Sequence, residues 1–279
     1  GLNKLTPRRL SLRNYVYDKD DLNSISRNPV NAIYEDKKGT LWVGTVEGGL
    51  NRKSKGENRF HHYTAESSYR LSHNSVSAIA ADNQNRLWVG TWGLGINLLD
   101  INNTNRPVIQ YLNSDTHPNF PINFIGSLCY DTRNNLMWIG SNHGLYYYDL
   151  KSETFKSPFK DQAGEKIHGC IGAIIDKENQ LWIGCLEGLY IVDLNKRENG
   201  FFKYKHITYK LDDPASGLNE KITCFYLAKD GTMWIGSNGY GFYKAQKTSI
   251  RGQYKFKAFT TSEGLVNNSI RGILEDNYG

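Results

Sequence analysis

Short stretches of alternating apolar and polar residues recur along the chain and predict β-strands separated by tight turns. In the first clear stretch, Val30–Tyr34 alternates, Glu35–Gly39 has the composition of a turn, and Leu41–Thr45 forms a second apolar run. A glycine-containing turn then leads to a third predicted strand at Leu50–Arg52, and an aromatic-rich fourth follows at Phe60–Tyr63. Four consecutive strands with short connections predict one small antiparallel sheet.

One five-residue phrase marks this unit and occurs five times along the chain, as LWVGT, LWVGT, MWIGS, LWIGC and MWIGS. Its tryptophans are separated by 46, 50, 44 and 52 residues, a period typical of four-stranded propeller blades. The sequence therefore predicts an all-β fold, a β-propeller of four-stranded antiparallel blades. Because the phrase is placed identically in every unit, we expect its tryptophans and glycines to be structural, with the tryptophans packed between neighbouring blades: Trp42, Trp88, Trp138, Trp182 and Trp234, and Gly44, Gly90, Gly140, Gly184 and Gly236.

Aligned on this unit, the chain contains five complete repeats and a split sixth. The complete repeats are expected at approximately 28–73, 74–122, 123–168, 169–219 and 220–267, and the split repeat combines 1–27 with 268–279. Its third strand is predicted at Gly1–Lys4, its fourth at Tyr15–Tyr17 and its first at Ile270–Leu274. A sheet that lacks its tryptophan strand has unpaired edges, so we expect a longer parent chain with a W-[IV]-G strand directly after Gly279.

Two other sets of residues recur with the repeat. One aspartate follows each predicted first strand, where its carboxylate is expected to accept backbone hydrogen bonds in the turn: Asp36, Asp82, Asp131, Asp176, Asp230 and Asp276. Cys170 and Cys224 are predicted to hold the position of Val30, and Cys185 that of Thr45, as small buried residues.

Composition and charge narrow the classes of function. Mean hydropathy is −0.58, and no apolar stretch approaches the roughly 20 residues that a membrane helix needs. The net charge of +6 is spread thinly, without a run of five basic residues, which does not favour a nucleic-acid surface. The sequence has no C-x-x-C pair, no P-loop, no H-E-x-x-H and no nucleophile triad, so we predict no catalytic residues, no metal and no cofactor.

The segment from Val30 to Thr45 closely resembles the two-component regulator propeller repeat, whose pattern reads V-x-x-I-x-x-D-x-x-G-x-L-W-[IV]-G-T-x-x-G-L. All five complete units fit this pattern, and the sixth fits as far as it extends. The resemblance implies the exported sensor region of a hybrid two-component receptor of Bacteroidetes, located in the periplasm and binding an oligosaccharide. It also implies a membrane-anchored parent that forms a homodimer and controls polysaccharide-utilisation genes through a histidine kinase, a phosphorelay and a DNA-binding region, none of which is in this sequence.

In propeller geometry the turns between second and third strands and the links into each first strand emerge on one face, which is the expected ligand surface. Trp92 is the strongest candidate there, because it alone occupies a variable turn outside the repeated phrase and an indole can stack on a sugar ring. The candidate ligand residues are Glu47, Trp92, His143, Glu187 and Tyr240 from the turns, and Asn74, Asn123 and His168 from the links. Two alternatives stay open at this point: a propeller lyase or glycosidase, and a protein-interaction scaffold.

Overall fold

The computed structural model describes residues 14–68, 70–103, 108–117, 120, 123–159, 167–208, 218, 221–250 and 252–275. Twenty strands form five sheets, and each sheet consists of four consecutive strands paired antiparallel in chain order. The prediction of an all-β propeller with five complete four-stranded blades is confirmed. The blades are: blade 1, β1 Val30–Glu35, β2 Leu41–Thr45, β3 Gly49–Lys53 and β4 His61–Tyr63; blade 2, β5 Val76–Ala81, β6 Arg86–Thr91, β7 Ile96–Asp100 and β8 Val108–Leu112; blade 3, β9 Ile125–Asp131, β10 Leu136–Ser141, β11 Gly144–Asp149 and β12 Thr154–Lys156; blade 4, β13 Gly172–Ile175, β14 Gln180–Cys185, β15 Gly188–Glu198 and β16 Phe201–Ile207; blade 5, β17 Ile222–Leu227, β18 Met233–Ser237, β19 Phe242–Lys247 and β20 Tyr254–Phe259.

The predicted split sixth repeat forms no sheet within the described residues. Its third strand, at Gly1–Lys4, lies outside them, and the strands predicted at Tyr15–Tyr17 and Ile270–Leu274 are not observed, because neither segment has a strand to pair with. Both segments still pack onto the neighbouring blade: the Tyr15 ring meets Phe60 edge to face at 5.4 Å, and the Ile270 amide donates to the Ser237 carbonyl.

Helical structure in the described part of the chain is limited to one 3-10 turn at Thr261–Glu263. Within those residues no helix has the length and apolar character needed to cross a membrane.

The core lies in the seams between adjacent blades. Trp88 is fully buried in a cluster with Ile125, Met137 and Ile139 of the next blade, and its ring meets Tyr148 at 5.3 Å. The tryptophans of blades 1, 3 and 4 are buried in the same way against blades 2, 4 and 5. Blades 1 to 4 therefore each contribute one large aromatic side chain to the apolar surface shared with the next blade, whereas Trp234 of blade 5 is half-buried.

The glycine two residues after each of these tryptophans has no room for a side chain. A methyl group added at Gly90 would lie 2.5 Å from Cγ2 of Ile125, the first residue of the next blade's first strand. The equivalent approach recurs five times, in the pairs Gly44 and Val76, Gly90 and Ile125, Gly140 and Cys170, Gly184 and Ile222, and Gly236 and Ile270. Ile270 thus meets Gly236 as the first residue of a sixth blade would, although the described residues after it, up to 275, form no strand.

In blades 1, 2 and 4 an aspartate at the outer turn also holds the tryptophan of the seam. Asp82 Oδ1 accepts hydrogen bonds from the Gln84 and Arg86 amides, while Oδ2 accepts one from Trp88 Nε1 at 2.8 Å. The same arrangement joins Asp36 to Trp42 and Asp176 to Trp182, always six residues apart. One carboxylate therefore closes the turn and fixes the indole.

Burial alone raises the pKa of the Asp36 carboxyl. Hydrogen bonds from Thr40, Trp42 and Lys38 outweigh that effect and hold its pKa below the usual value. This carboxylate is therefore ionised when it closes its turn at neutral pH.

Two blades depart from this arrangement. In blade 3 one additional residue separates Asp131 from Trp138, so Asp131 Oδ2 accepts from the Asn134 side chain and Trp138 Nε1 has no hydrogen-bond partner among the described residues. In blade 5 Asp230 accepts the Thr232 amide at 2.7 Å, so the prediction that it accepts a backbone hydrogen bond in the turn is confirmed. Asp230 does not hold the position of Asp36, because Ala228 stands six residues before Trp234 and its amide donates to the Thr232 carbonyl.

The prediction for Cys224 is also wrong by two residues. Ile222 pairs with Ser237 as Val76 pairs with Thr91, so Ile222 holds the first position of the strand, and Cys224 lies opposite Gly236. Blade 1 has the same bulge, between Val30 and Ala32, so Cys224 holds the position of Ala32. Ile222 lies as far before Trp234 as Val30 lies before Trp42, so counting back from the tryptophan gives the correct alignment.

The glycine contact gives a first prediction. Replacement Gly90→Ala is expected to lower the free energy of unfolding by about 1–3 kcal/mol, because the added methyl overlaps Ile125. Gly272→Ala is the control, since a methyl group there meets nothing within 4 Å. Urea denaturation measures both. Equal midpoints for the two variants would contradict the prediction, whereas a double variant Gly90→Ala/Ile125→Ala should lose less than the sum of its single changes.

The two types of tryptophan give a second prediction. Trp88→Phe removes a hydrogen bond to a carboxylate, whereas Trp138→Phe removes an indole N–H that has no partner, so Trp88→Phe should cost about 1.5–3 kcal/mol more. Both rings are fully buried, so the lost volume is matched. Similar losses of unfolding free energy for the two variants would show that the Asp82 hydrogen bond contributes little.

Candidate ligand-binding face

The second-to-third-strand turns and the links into each blade are joined into one continuous surface, which we call the turn–link face. The Trp92 amide donates to the Ser75 carbonyl in the link into its own blade, and the Gly93 amide donates to the Asn123 carbonyl in the link into the next blade. Blade 5 repeats the arrangement, with Asn238 donating to Lys221 and Gly239 to Asn268. Each link is therefore held between two turns, which brings the candidate turn and link residues onto the same face.

An aromatic pair stands where blades 2 and 3 meet on this face. Trp92 stacks on Phe124 with ring centroids 5.5 Å apart and planes inclined by 11°, and the two residues also form an isolated antiparallel bridge. Trp92 remains 37% exposed and its neighbour Leu94 46% exposed. Phe124 was missed by sequence reasoning, although an aromatic residue directly before a first strand occurs in no other complete repeat. The stack fixes the indole while leaving part of it open to solvent.

A hydrogen-bonded histidine–glutamate pair occupies the same face of blade 4. Glu187 Oε1 lies 2.8 Å from His168 Nδ1, and Oε2 accepts the His168 backbone amide at 3.0 Å. Because Nδ1 faces a carboxylate, it carries the imidazole proton and donates it. His206 contacts the Glu187 carbonyl through Nε2 at 3.0 Å and stacks on Tyr190 at 4.1 Å. The turn and the link of blade 4 are thus joined by side chains as well as by the backbone.

The other turn candidates stand separately on their own blades. His143 is exposed, with Nδ1 2.8 Å from the Asn142 side-chain oxygen. Tyr240 is 43% exposed in the tight turn from Ser237 to Gly241, and Glu47 has a left-handed backbone with φ of 58°. Within the described residues, no hydrogen bond or ring contact joins these side chains to one another or to Trp92.

The two asparagine candidates are engaged in the fold. Asn74 Oδ1 accepts the Ala65 amide at 2.7 Å, and Nδ2 donates to both carboxylate oxygens of Glu66, which lowers the pKa of that carboxyl. Asn123 uses its carbonyl to hold the blade 2 turn, while its side chain is exposed. Of the two, Asn123 has the side chain that is open for a ligand.

No cluster of three or more histidine, cysteine, aspartate or glutamate residues suited to a metal ion occurs in the part of the chain that the structure describes. The turn–link face offers aromatic surface, imidazole, phenol and carboxylate groups. Those groups suit hydrogen bonding and stacking to a polar, ring-containing ligand.

The paired side chains of blade 4 give a third prediction. Glu187→Ala removes the acceptor of the His168 amide, so hydrogen exchange at that amide should accelerate about tenfold or more. Glu47→Ala, at the matching turn position of blade 1, should leave the His168 amide unchanged. Hydrogen exchange followed by NMR reports the rate of this single amide, and unchanged protection in Glu187→Ala would contradict the assignment.

Comparison with known proteins agrees with this architecture. The family model described as two component regulator propeller matches residues 24–47, 70–93 and 216–239, each match running from a link through the tryptophan strand into the following turn. A search of curated proteins finds no significant match.

Three solved structures illustrate the likeness of the fold. The extracellular domain of BT4673 from B. thetaiotaomicron, assigned to a one-component system, is 20% identical with a TM-score of 0.64, over 85% of this chain and 30% of that one. The extracellular domain of BT3049 from the same organism, assigned to a hybrid two-component system, is 18% identical with a TM-score of 0.57, over 90% and 37%. PorZ, a surface component of the type-IX secretion system of Porphyromonas gingivalis, is 17% identical with a TM-score of 0.60, over 88% and 35%.

The chain spans about a third of the length of these solved chains. At these identities the likeness shows the fold and nothing finer. Together with the five repeated blades, the three matched segments show that this chain is a propeller whose repeats are similar to those of the two component regulator propeller family.

Proposed function

We propose that this chain is an extracytoplasmic ligand-sensing module of a hybrid two-component receptor. The family description refers to two-component regulation, and two of the similar structures are extracellular domains assigned to signalling systems. In this proposal the module performs no chemistry itself, and its parent carries the histidine kinase. The turn–link face is the surface that meets the ligand.

The proposed ligand is an oligosaccharide, and the observation that carries this choice is the Trp92–Phe124 stack. An indole held flat at a blade junction and partly open to solvent offers a platform for the apolar face of a pyranose ring. His143, Tyr240 and the His168–Glu187 pair supply polar groups on the same face for sugar hydroxyls. The net charge of +6 suits an acidic sugar.

Signalling by such a receptor requires differential affinity. A ligand that binds two receptor states equally shifts neither, whatever its affinity. We therefore propose that the oligosaccharide favours one arrangement of a homodimeric, membrane-anchored parent whose sensor region lies in the periplasm. A phosphorelay and a DNA-binding region of the parent would then control polysaccharide-utilisation genes.

A protein-binding function is the second candidate, because apolar side chains are exposed on the same face. Leu94 and Leu186 are each 46% exposed, and Tyr240 is 43% exposed. PorZ, which shares the fold, is a surface component of a secretion system. This scaffold function requires a broad apolar interface rather than a small ligand site.

The fourth prediction tests the ligand. In a thermal-shift screen of the complete extracytoplasmic region against defined neutral and acidic oligosaccharides, one class should stabilise the protein, by about 2.7 kcal/mol at a hundred times its Kd. Trp92→Ala should abolish that shift and Trp92→Phe should retain part of it, since a phenyl ring still offers a stacking surface. Ile250→Ala is the control, because that exposed residue lies in the β19–β20 turn at the opposite face.

Each outcome separates the candidates. Stabilisation without cleavage of the sugar supports the sensor. Cleavage of the sugar would replace the sensor with the enzyme alternative, and no shift across the panel would favour the scaffold.

A further inference from the structure

Two buried cysteines face each other at the end of blade 4 that forms part of the turn–link face. Cys170 Sγ and Cys185 Sγ lie 2.8 Å apart, both as thiols, and the residues are 0% and 1% exposed. Cys185 is the last residue of β14, and Cys170 stands just before β13, next to the Gly172 and Gly184 pair of the ladder. One side chain therefore comes from the end of β14 and the other from the segment that leads into its neighbour β13.

The same pair of positions holds different chemistry in the other blades. In blade 2 they are Val76 and Thr91, and in blade 5 Ile222 and Ser237. The hydroxyl of that pair closes the following turn, as in the hydrogen bond from Thr91 Oγ1 to the Gly95 carbonyl at 2.9 Å. The equivalent bond recurs in blades 1, 3 and 5. In blade 4 this position holds Cys185, which has no hydroxyl, and the residue that faces Cys185 is Cys170.

We propose that Cys170 and Cys185 form a disulfide bond in the functional protein, an inference that rests on the extracytoplasmic location proposed above. The bond joins the two Sγ atoms, and the thiols together lose two protons and two electrons. An oxidised thiol–disulfide oxidoreductase or glutathione disulfide accepts them and is reduced to two thiols. The covalent link takes the place of the missing hydroxyl contact at the turn.

Burial dictates when this bond forms. Burial, together with the neighbouring Cys170, raises the pKa of the Cys185 thiol, and only a thiolate attacks a disulfide. Oxidation therefore proceeds while the blade is still folding and its cysteines are reached by solvent. Once the blade has closed, the same burial protects the bond from soluble reductants.

The bond would also support the candidate ligand site. Cys170 is two residues from His168, and Cys185 is two residues from Glu187. A disulfide between the two cysteines holds the segment before β13 and the turn after β14 together. It therefore fixes the distance between His168 and Glu187, which project from them. The sulfur atoms are thus positioning groups for this pair and make no ligand contact themselves.

The fifth prediction follows from the tryptic cleavage sites. Trypsin cuts after Lys166, Lys177 and Lys196, so the two cysteines fall in separate peptides, 167–177 and 178–196. When the protein is isolated from the cell envelope, alkylated under denaturing conditions without reductant and digested, these peptides should appear as one linked species. Its mass should be about 2 Da below their sum, since two hydrogens are lost. Peptide 222–229 carries Cys224 and should be fully alkylated.

A refolding experiment tests whether the fold itself allows the disulfide, independently of the cellular compartment. The reduced, unfolded protein is refolded in a glutathione redox buffer and mapped in the same way. Linked peptides support the proposal, and full alkylation of both cysteines in the folded product overturns it. Linkage in vitro combined with free thiols in protein taken from cells would overturn the functional disulfide and count against the extracytoplasmic location, while leaving sugar binding to its own test.

Stability supplies a second readout. The oxidised protein should melt several degrees above the reduced protein, because the bond restricts the unfolded chain. Cys170→Ser and Cys185→Ser should each abolish this difference between oxidised and reduced forms, whereas Cys224→Ser should retain it. A reductant effect of the same size in Cys170→Ser would overturn the assignment.

Discussion

The close approach of one blade to the next is the constraint on which the structure depends. At each seam the glycine of a tryptophan strand lies against the first residue of the following blade, as Gly90 does against Ile125, with no space for a methyl group. That approach lets the tryptophan beside it reach across and bury its whole ring in the next blade. The glycine and the tryptophan therefore act together. The glycine allows neighbouring blades to approach closely, and the tryptophan ring fills the space that remains between them.

This repeated contact explains why the fold could be predicted from the sequence while the positions of individual side chains could not. A contact that requires two residue types at a fixed offset is repeated in every blade, so its period reveals the architecture. The errors have two sources. One added residue between Asp131 and Trp138 left the Trp138 indole without its hydrogen bond. In blade 5 the spacing is that of blade 1 and only the residue types differ, so Ala228 and Cys224 hold positions that Asp36 and Ala32 hold there. A search for matching residue types misplaces a side chain when the type, rather than the spacing, has changed.

The candidate site was predictable to a different extent. Propeller geometry places turns and links on one face, and the alternating hydrogen bonds of Trp92 and Gly93 show how the backbone holds them there. The residues that contact the candidate side chains could not be predicted from the sequence, because they come from segments far apart along the chain. Neither the stack of Trp92 on Phe124 nor the contact of His168 with Glu187 leaves a periodic signal. Features that occur once must be read from the structure.

Blade 4 differs from the repeat at several places on its turn–link end. Its turn has one glycine fewer than that of blade 1, Cys185 replaces the hydroxyl that closes the turn elsewhere, and His168 and Glu187 bridge link and turn. Blade 4 lacks the hydrogen bond from a turn hydroxyl to the backbone that the other four blades make. The seam contact of the blade is unchanged, since Gly184 meets Ile222 as Gly90 meets Ile125. The differences that leave the seam intact are confined to the turn–link end of the blade, which is why a ligand is best sought there and at the aromatic junction of blades 2 and 3.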